Sequence, residues 1–116
     1  MTVAEESFDV VVIGGGPGGY VAAIRAGQLG LKTVVVEREA MGGVCLNWGC
    51  IPSKAMIAAA NLVEKAKHSD HMGLSFGDVK VDIEKLQSWK NGIVKKLTTG
   101  VSGLVKGNGA SIIDGE

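Results

Sequence analysis

The chain has 116 residues, with 12 basic and 12 acidic side chains and a formal net charge of zero. That length suits one domain and is too short for two ordinary ones. Balanced charge excludes the electrostatic footprint of a nucleic-acid binder or of a protein held to anionic membranes.

At the amino terminus, Met1 to Phe8 carries Glu5 and Glu6 and no basic region, and the apolar run that follows soon breaks into glycine. No signal peptide or membrane span is expected, and a cytoplasmic chain is. Phe8 to Ile13 is short, apolar and rich in β-branched residues, as a buried parallel strand should be. Glycine supplies 18 residues, about twice the usual ~7%, and half of them lie between Gly14 and Gly43. The excess marks special backbone geometry there.

Gly14 to Gly19 forms a turn, with Pro17 suited to the first helical position, where a missing N–H costs nothing. A helix is predicted from about Gly18 to Leu29, burying Val21, Ile24, Ala26 and Leu29 and capped by Gly30. Leu31 to Glu37 is a second strand, completing a βαβ start. Pro52 and Ser53 open another helix that runs to about Lys67. Ser69 to Lys80 reads as a loop. Asp82 caps a long helix whose stripe is Ile83, Leu86, Ile93, Leu97, Val101 and Leu104. The six lysines between Lys80 and Lys106 are spread along it and read as a solvated face. Ala110 to Asp114 is a third strand. Three strands leave an open sheet, so residues 1–116 are expected to be the front end of a larger protein.

Gly14-x-Gly16-x-x-Gly19 has the spacing of the dinucleotide fingerprint. The first glycine makes the tight turn, the second admits a pyrophosphate to the backbone, and the third lets helix and strand pack closely. The pyrophosphate would rest on the helix N-terminus. Glu37 follows Gly19 by 18 residues, at the end of the second strand. A carboxylate there accepts hydrogen bonds from a ribose diol and repels a 2′-phosphate. The fingerprint alone does not separate NAD from FAD. Eight steps separate Glu37 from Cys45, a span of at most ~26–29 Å and similar to an extended dinucleotide.

Cys45 and Cys50 are the only cysteines. In a reducing compartment such a close pair is more often catalytic or metal-binding than structural. On a regular helix their α-carbons would be about 8–9 Å apart, beyond the ~7 Å limit for a disulfide. If the two are bonded the segment must be irregular, with Gly49 supplying the freedom, and such a bond suits working chemistry. Zinc is the competing reading, but it wants four ligands, and His68 and His71 are distant in sequence and read as solvated. An inert pair of buried thiols is the third reading. Cys50 lies near a helix N-terminus that favours thiolate, and Lys54, one turn on, adds positive charge to the same face.

The run Gly42-Gly43-Val44-Cys45-Leu46-Asn47-Trp48-Gly49-Cys50-Ile51-Pro52-Ser53-Lys54, with Gly14-Gly15-Gly16-Pro17-Gly18-Gly19-Tyr20 before it, resembles the pyridine-nucleotide–disulfide oxidoreductases. The likeness runs along essentially the whole chain and is greatest to the branch that oxidises dihydrolipoamide. Glutathione and mercuric reductases share the plan but typically read Val-Asn-Val where this chain has Leu46-Asn47-Trp48.

The resemblance implies an α/β fold: a Rossmann-like FAD-binding domain, here its amino-terminal portion (residues 1–116) with the redox disulfide. The NAD and interface domains are not in this sequence. It implies a homodimeric flavoprotein that takes electrons from lipoyl domains of 2-oxo acid dehydrogenase or glycine cleavage complexes and passes them through a Cys45–Cys50 disulfide and FAD to NAD. Cys45 matches the thiol that exchanges with substrate, Cys50 the thiol facing the flavin, and Lys54 the lysine near the flavin ring. Glu37 matches the carboxylate on the adenosine ribose, and Gly14, Gly16 and Gly18 match the pyrophosphate turn. Pro17, Arg38, Gly43 and Val44 complete the implied FAD contacts, although many members carry threonine where Val44 stands. The family's acid–base His–Glu pair lies in the interface domain, and neither His68 nor His71 matches it. No metal is implied. Two other readings stay open: a reductase of the same plan for another disulfide or for mercuric ion, and a non-catalytic flavin-binding module.

Overall fold

The computed structural model describes residues 5–116; Met1 to Ala4, part of the segment read above as leaderless, lie outside the described residues. Strand β1 (Val10–Ile13) is followed by helix α1 (Pro17–Gln28), strand β2 (Thr33–Glu37), a short helix α2 (Gly43–Asn47), helix α3 (Cys50–Lys67), helix α4 (Ile83–Gly107) and strand β3 (Ala110–Asp114). The sheet is parallel, in the order β1-β2-β3, with Val12 beside Val35 and Val35 beside Ile112. This is the α/β, Rossmann-like architecture expected from the strand–glycine turn–helix–strand pattern.

One sheet face carries the core. Ala23 of α1, Val35 of β2, Val105 of α4 and Ala110 of β3 are buried together, with Val12, Tyr20, Ile24 and Ile112 packed around them. Helix α1 buries other residues than its hydrophobicity predicts. Val21 and Leu29 are exposed, and small Ala23 and Ala26 are the residues that face the sheet. Small residues win because α1 lies close to the backbone. A methyl on Gly19 would collide with the Gly14 carbonyl oxygen, and one on Gly27 with the Asn108 carbonyl oxygen.

Helix ends follow their sequence signals. Pro17 is the first residue of α1. Gly30, at φ +80°, closes the helix, with its N–H on the Gly27 carbonyl and the Leu31 N–H on the Ala26 carbonyl. That pair of bonds is the Schellman arrangement, which needs a left-handed residue. Asp82 caps α4 by accepting the Lys85 N–H at 3.0 Å. Within the predicted loop, Asp70–Met72 forms a single 3₁₀ turn.

Of the predicted α4 stripe only Val101 is fully buried, one turn before Val105, a residue outside that stripe which joins the sheet's core. Leu86 and Ile93 are half-buried, and Ile83, Leu97 and Leu104 are exposed. The reason is shape. The described chain measures 71 × 31 × 17 Å with a radius of gyration of 20.3 Å, against about 13 Å for a compact domain of this size. The N-terminal half of α4 pairs with α3 as an arm that extends away from the sheet. On the opposite sheet face, Val11, Ile13 and Ile113 are also exposed, Ile13 to 86%.

Candidate active site

The C-terminal ends of all three strands meet at one edge, where open parallel sheets bind ligands. Gly14, at φ +98°, turns the chain out of β1 while donating its N–H to the Val36 carbonyl at 2.8 Å. The loop then enters α1 with no side-chain cap and no acidic residue in the first turn. The first-turn N–H groups of Gly18 and Gly19 have no helical acceptor. A methyl on Gly14 or Gly18 would meet nothing within 4 Å, so space lies open above both. An uncapped N-terminus of a twelve-residue helix, bare of side chains, fits a diphosphate.

Glu37 flanks this loop. Its carboxylate accepts the Gly15 N–H at 2.6 Å and the Glu39 N–H at 2.9 Å. These backbone donors, Glu39 first and Gly15 second, hold its pKa below the ordinary glutamate value. Glu37 also lines a cleft of about 260 Å³ with Ile13, Gly14, Val36, Arg38, Gly115 and Glu116. Arg38 stands at its rim, paired with Glu116 at 3.1 Å.

Cys45 and Cys50 form a disulfide, with α-carbons 4.6 Å apart. A regular helix could not bring them so close. The chain solves this by ending α2 at Asn47, bending through Trp48 and Gly49, and restarting as α3 at Cys50. Gly49 suits the bend, since a side chain there would crowd the Val44 carbonyl oxygen at 3.1 Å. Cys50 is therefore itself the first residue of α3, two residues earlier than Pro52 and Ser53 suggested. Cys45 is half-buried, and Cys50 and Lys54 are exposed. Val44 is exposed as well.

The disulfide segment is seated on the Gly14–Gly19 turn, the candidate phosphate loop. The Gly42 N–H bonds the Gly15 carbonyl at 2.8 Å, and a methyl on Gly43 would lie 2.8 Å from the Gly16 α-carbon. Glu37, Gly15, Gly16, Gly43 and Cys45 thus form one continuous track along the sheet edge. Residues 8–116 match the family of pyridine nucleotide-disulphide oxidoreductases.

The chain belongs to that family.

Among curated relatives it is similar to dihydrolipoyl dehydrogenase of Bacillus subtilis, 60% identical over 108 residues, covering 93% of this chain and 23% of the relative. It is 57% identical over 108 residues to the dihydrolipoyl dehydrogenase of Geobacillus stearothermophilus, with the same coverage. For that of Halobacterium salinarum the figure is 55% over 107 residues, 92% of this chain and 22% of the relative. The chain therefore spans about a quarter of the length of these relatives. Its fold superposes on the crystal structure of LpdA from Mycobacterium tuberculosis with a TM-score of 0.79 and 25% identity, covering 92% of this chain and 23% of that one. As an oxidoreductase family using flavin and pyridine nucleotide, it accounts for both the uncapped phosphate loop and the bonded cysteines.

His68 and His71 are remote from this track. His68 ends α3, 18 residues beyond Cys50 and so roughly 27 Å along the helix. There it pairs with Glu64 at 2.8 Å on the open surface. No cluster of three or more His, Cys, Asp or Glu that could hold a metal occurs among the described residues, nor is any helix among them long and apolar enough to cross a membrane.

The sequence reading missed three participants: helix α2, Gly15 and Asn47. Gly15 was an unspecified position of the fingerprint, yet it is buried and both its backbone groups bond across the site. Its signal was the unbroken Gly14-Gly15-Gly16 run.

Proposed function

We propose that this chain is the FAD-binding, redox-disulfide portion of a dihydrolipoyl dehydrogenase, which oxidises the dihydrolipoamide of lipoyl domains and reduces NAD⁺. The observation that carries it is the Cys45–Cys50 disulfide joined to the phosphate loop through Gly43 and Gly16. The identity to dihydrolipoyl dehydrogenases favours dihydrolipoamide over other dithiols.

In the intact protein a substrate thiolate attacks the Cys45 sulfur, breaking the Cys45–Cys50 bond and leaving Cys50 as thiolate. The second substrate thiolate then displaces Cys45, closing the lipoamide ring and leaving the enzyme with two reduced sulfurs. FAD, held by the glycine turn and Glu37, would supply the two-electron acceptor between this dithiol and NAD⁺, so that overall one dihydrolipoamide and one NAD⁺ give lipoamide, NADH and a proton. Cys50, at the start of α3, is stabilised as a thiolate by the free N–H groups of the first turn, with Lys54 adding positive charge one turn on. Gly14, Gly16, Pro17 and Gly18 take the diphosphate, and Glu37 the adenosine ribose. Arg38, Gly43 and Val44 complete the cofactor wall.

The acid–base groups and the NAD site belong to domains outside residues 1–116, so this segment by itself turns over no substrate. The exposed apolar residues of the α3–α4 arm and of the Ile13 sheet face support its burial against those domains and a second subunit. A cytoplasmic setting fits a dithiol that must cycle. The test is substrate profiling of the full-length protein. NAD⁺ reduction driven by dihydrolipoamide, and not by glutathione or trypanothione-type dithiols, is expected; NADPH-dependent reduction of another disulfide in its place refutes the assignment.

A further inference from the structure

Helix α2 has five residues, far too few to be stable on its own. It also begins from two consecutive left-handed glycines, Gly42 at φ +97° and Gly43 at φ +57°. Something must fix its position if Cys45 is to meet both Cys50 and the cofactor site. Two ties do so: the disulfide and the seating of the Gly42–Gly43 turn on Gly15 and Gly16.

A third is the side chain of Asn47, the last residue of α2. Its amide nitrogen donates to the Gly43 carbonyl at 2.9 Å and to the Met41 carbonyl at 3.1 Å. One amide group thereby holds both sides of the double-glycine turn. Met41 packs against the core cluster, and Gly42, between the two acceptors, bonds the phosphate loop at Gly15.

We infer that Asn47 is a positioning residue, which clamps the double-glycine turn and so keeps Cys45 in register with Cys50 and the phosphate loop when the disulfide is open. This rests on the redox function proposed above, because only a working disulfide is ever open. With the disulfide reduced, one of the three ties is gone, and the clamp carries more of the load. An amide supplies the two N–H donors that two carbonyls require. A carboxylate has none and repels both.

The test measures the disulfide of the flavin-loaded full-length protein against dithiothreitol redox buffers, in which one enzyme disulfide is reduced for each dithiothreitol oxidised. Without the clamp the open thiols wander and ring closure becomes harder. Asn47→Asp should shift the equilibrium toward the dithiol by about tenfold, roughly 30 mV for two electrons. Asn47→Ser restores one bond, since a serine hydroxyl reaches the carbonyl four residues back, here Gly43, and should fall near threefold. A second reading is the long-wavelength absorbance of a thiolate beside flavin on dithiol reduction, weakened in the same order.

A wild-type equilibrium in folded Asn47→Asp overturns the positioning role. Should that variant fail to fold, a wild-type equilibrium in Asn47→Ser overturns it equally. If the wild-type protein shows no thiolate–flavin band, the proposed function falls, while the equilibrium shift still decides the role of Asn47.

Discussion

Gly43 and Gly16, the first beside the disulfide and the second in the phosphate loop, touch backbone to backbone. A methyl on Gly43 would stand 2.8 Å from the Gly16 α-carbon, where no real side chain fits. The glycine turn proposed to take the diphosphate and the sulfur pair are thus built on a shared contact, and disturbing either one should be felt at the other.

Gly43→Ala tests that contact. The substitution adds overpacking of about 1–3 kcal/mol to the strain of a positive φ. Lowered flavin retention together with a lower denaturation midpoint is expected. Full flavin content at wild-type stability would show that the two segments separate easily.

Gly18 and Gly19 should respond in opposite ways. A methyl on Gly19 strikes the Gly14 carbonyl oxygen, so Gly19→Ala should destabilise the fold by about 1–3 kcal/mol, read in urea melts. Gly18 has open space around it, and alanine there improves helix propensity by up to about 1 kcal/mol. Gly18→Ala should therefore keep or raise stability while weakening FAD binding, since the methyl enters the space the diphosphate needs. Equal effects of the two variants on stability would contradict this packing.

Glu37 gives a pH dependence with a defined sign. Its folded pKa is depressed by the backbone donors of Glu39 and Gly15. A depressed carboxylate contributes stability that is present above its unfolded value, ordinarily about 4.3, and lost as pH falls through the lower folded value. Below that range the Gly15 tie should weaken, and acid should release flavin. In Glu37→Gln one of the two accepted bonds is lost at every pH, costing about 1–3 kcal/mol, and the acid limb of the stability curve should flatten. An unchanged acid limb in that variant, followed by thermal melts from pH 3 to 7, would assign the acid sensitivity elsewhere.

Much of the fold was legible because its signals are local. The β-branched run before Gly14, Pro17 at the first helical position, Gly30 at the close of α1 and Asp82 before α4 each dictate a backbone state within a few residues. Which apolar residues are buried was less legible. Val21 and Leu29 read as core by hydrophobicity, yet Ala23 and Ala26 took that place because the glycines of α1 bring the helix against backbone. The α4 stripe placed Val101 correctly but missed Val105, and its Ile83 and Leu104 are left exposed among the described residues. At the site, cysteine spacing showed that the segment must bend. It could not show that the bend is made by breaking one helix into α2 and α3, nor that Asn47 ties the turn, since both depend on contacts with the phosphate loop.

Cys50→Ser in the full-length protein should abolish dihydrolipoamide turnover, a loss of several orders of magnitude, while leaving flavin bound. The isolated 116-residue chain should reduce no NAD⁺ at all. Detectable activity in the first would remove the disulfide from the reaction, and in the second would show that residues 1–116 suffice for turnover.

The most direct test of a dithiol working beside flavin is an anaerobic titration of the purified full-length protein with dihydrolipoamide, following the visible spectrum and the free-thiol count together. On uptake of one electron pair, thiol should appear at Cys45 and a long-wavelength absorbance should grow beside a flavin band that persists. Bleaching of the flavin with the Cys45–Cys50 bond still closed, or a protein that carries no flavin, would contradict it.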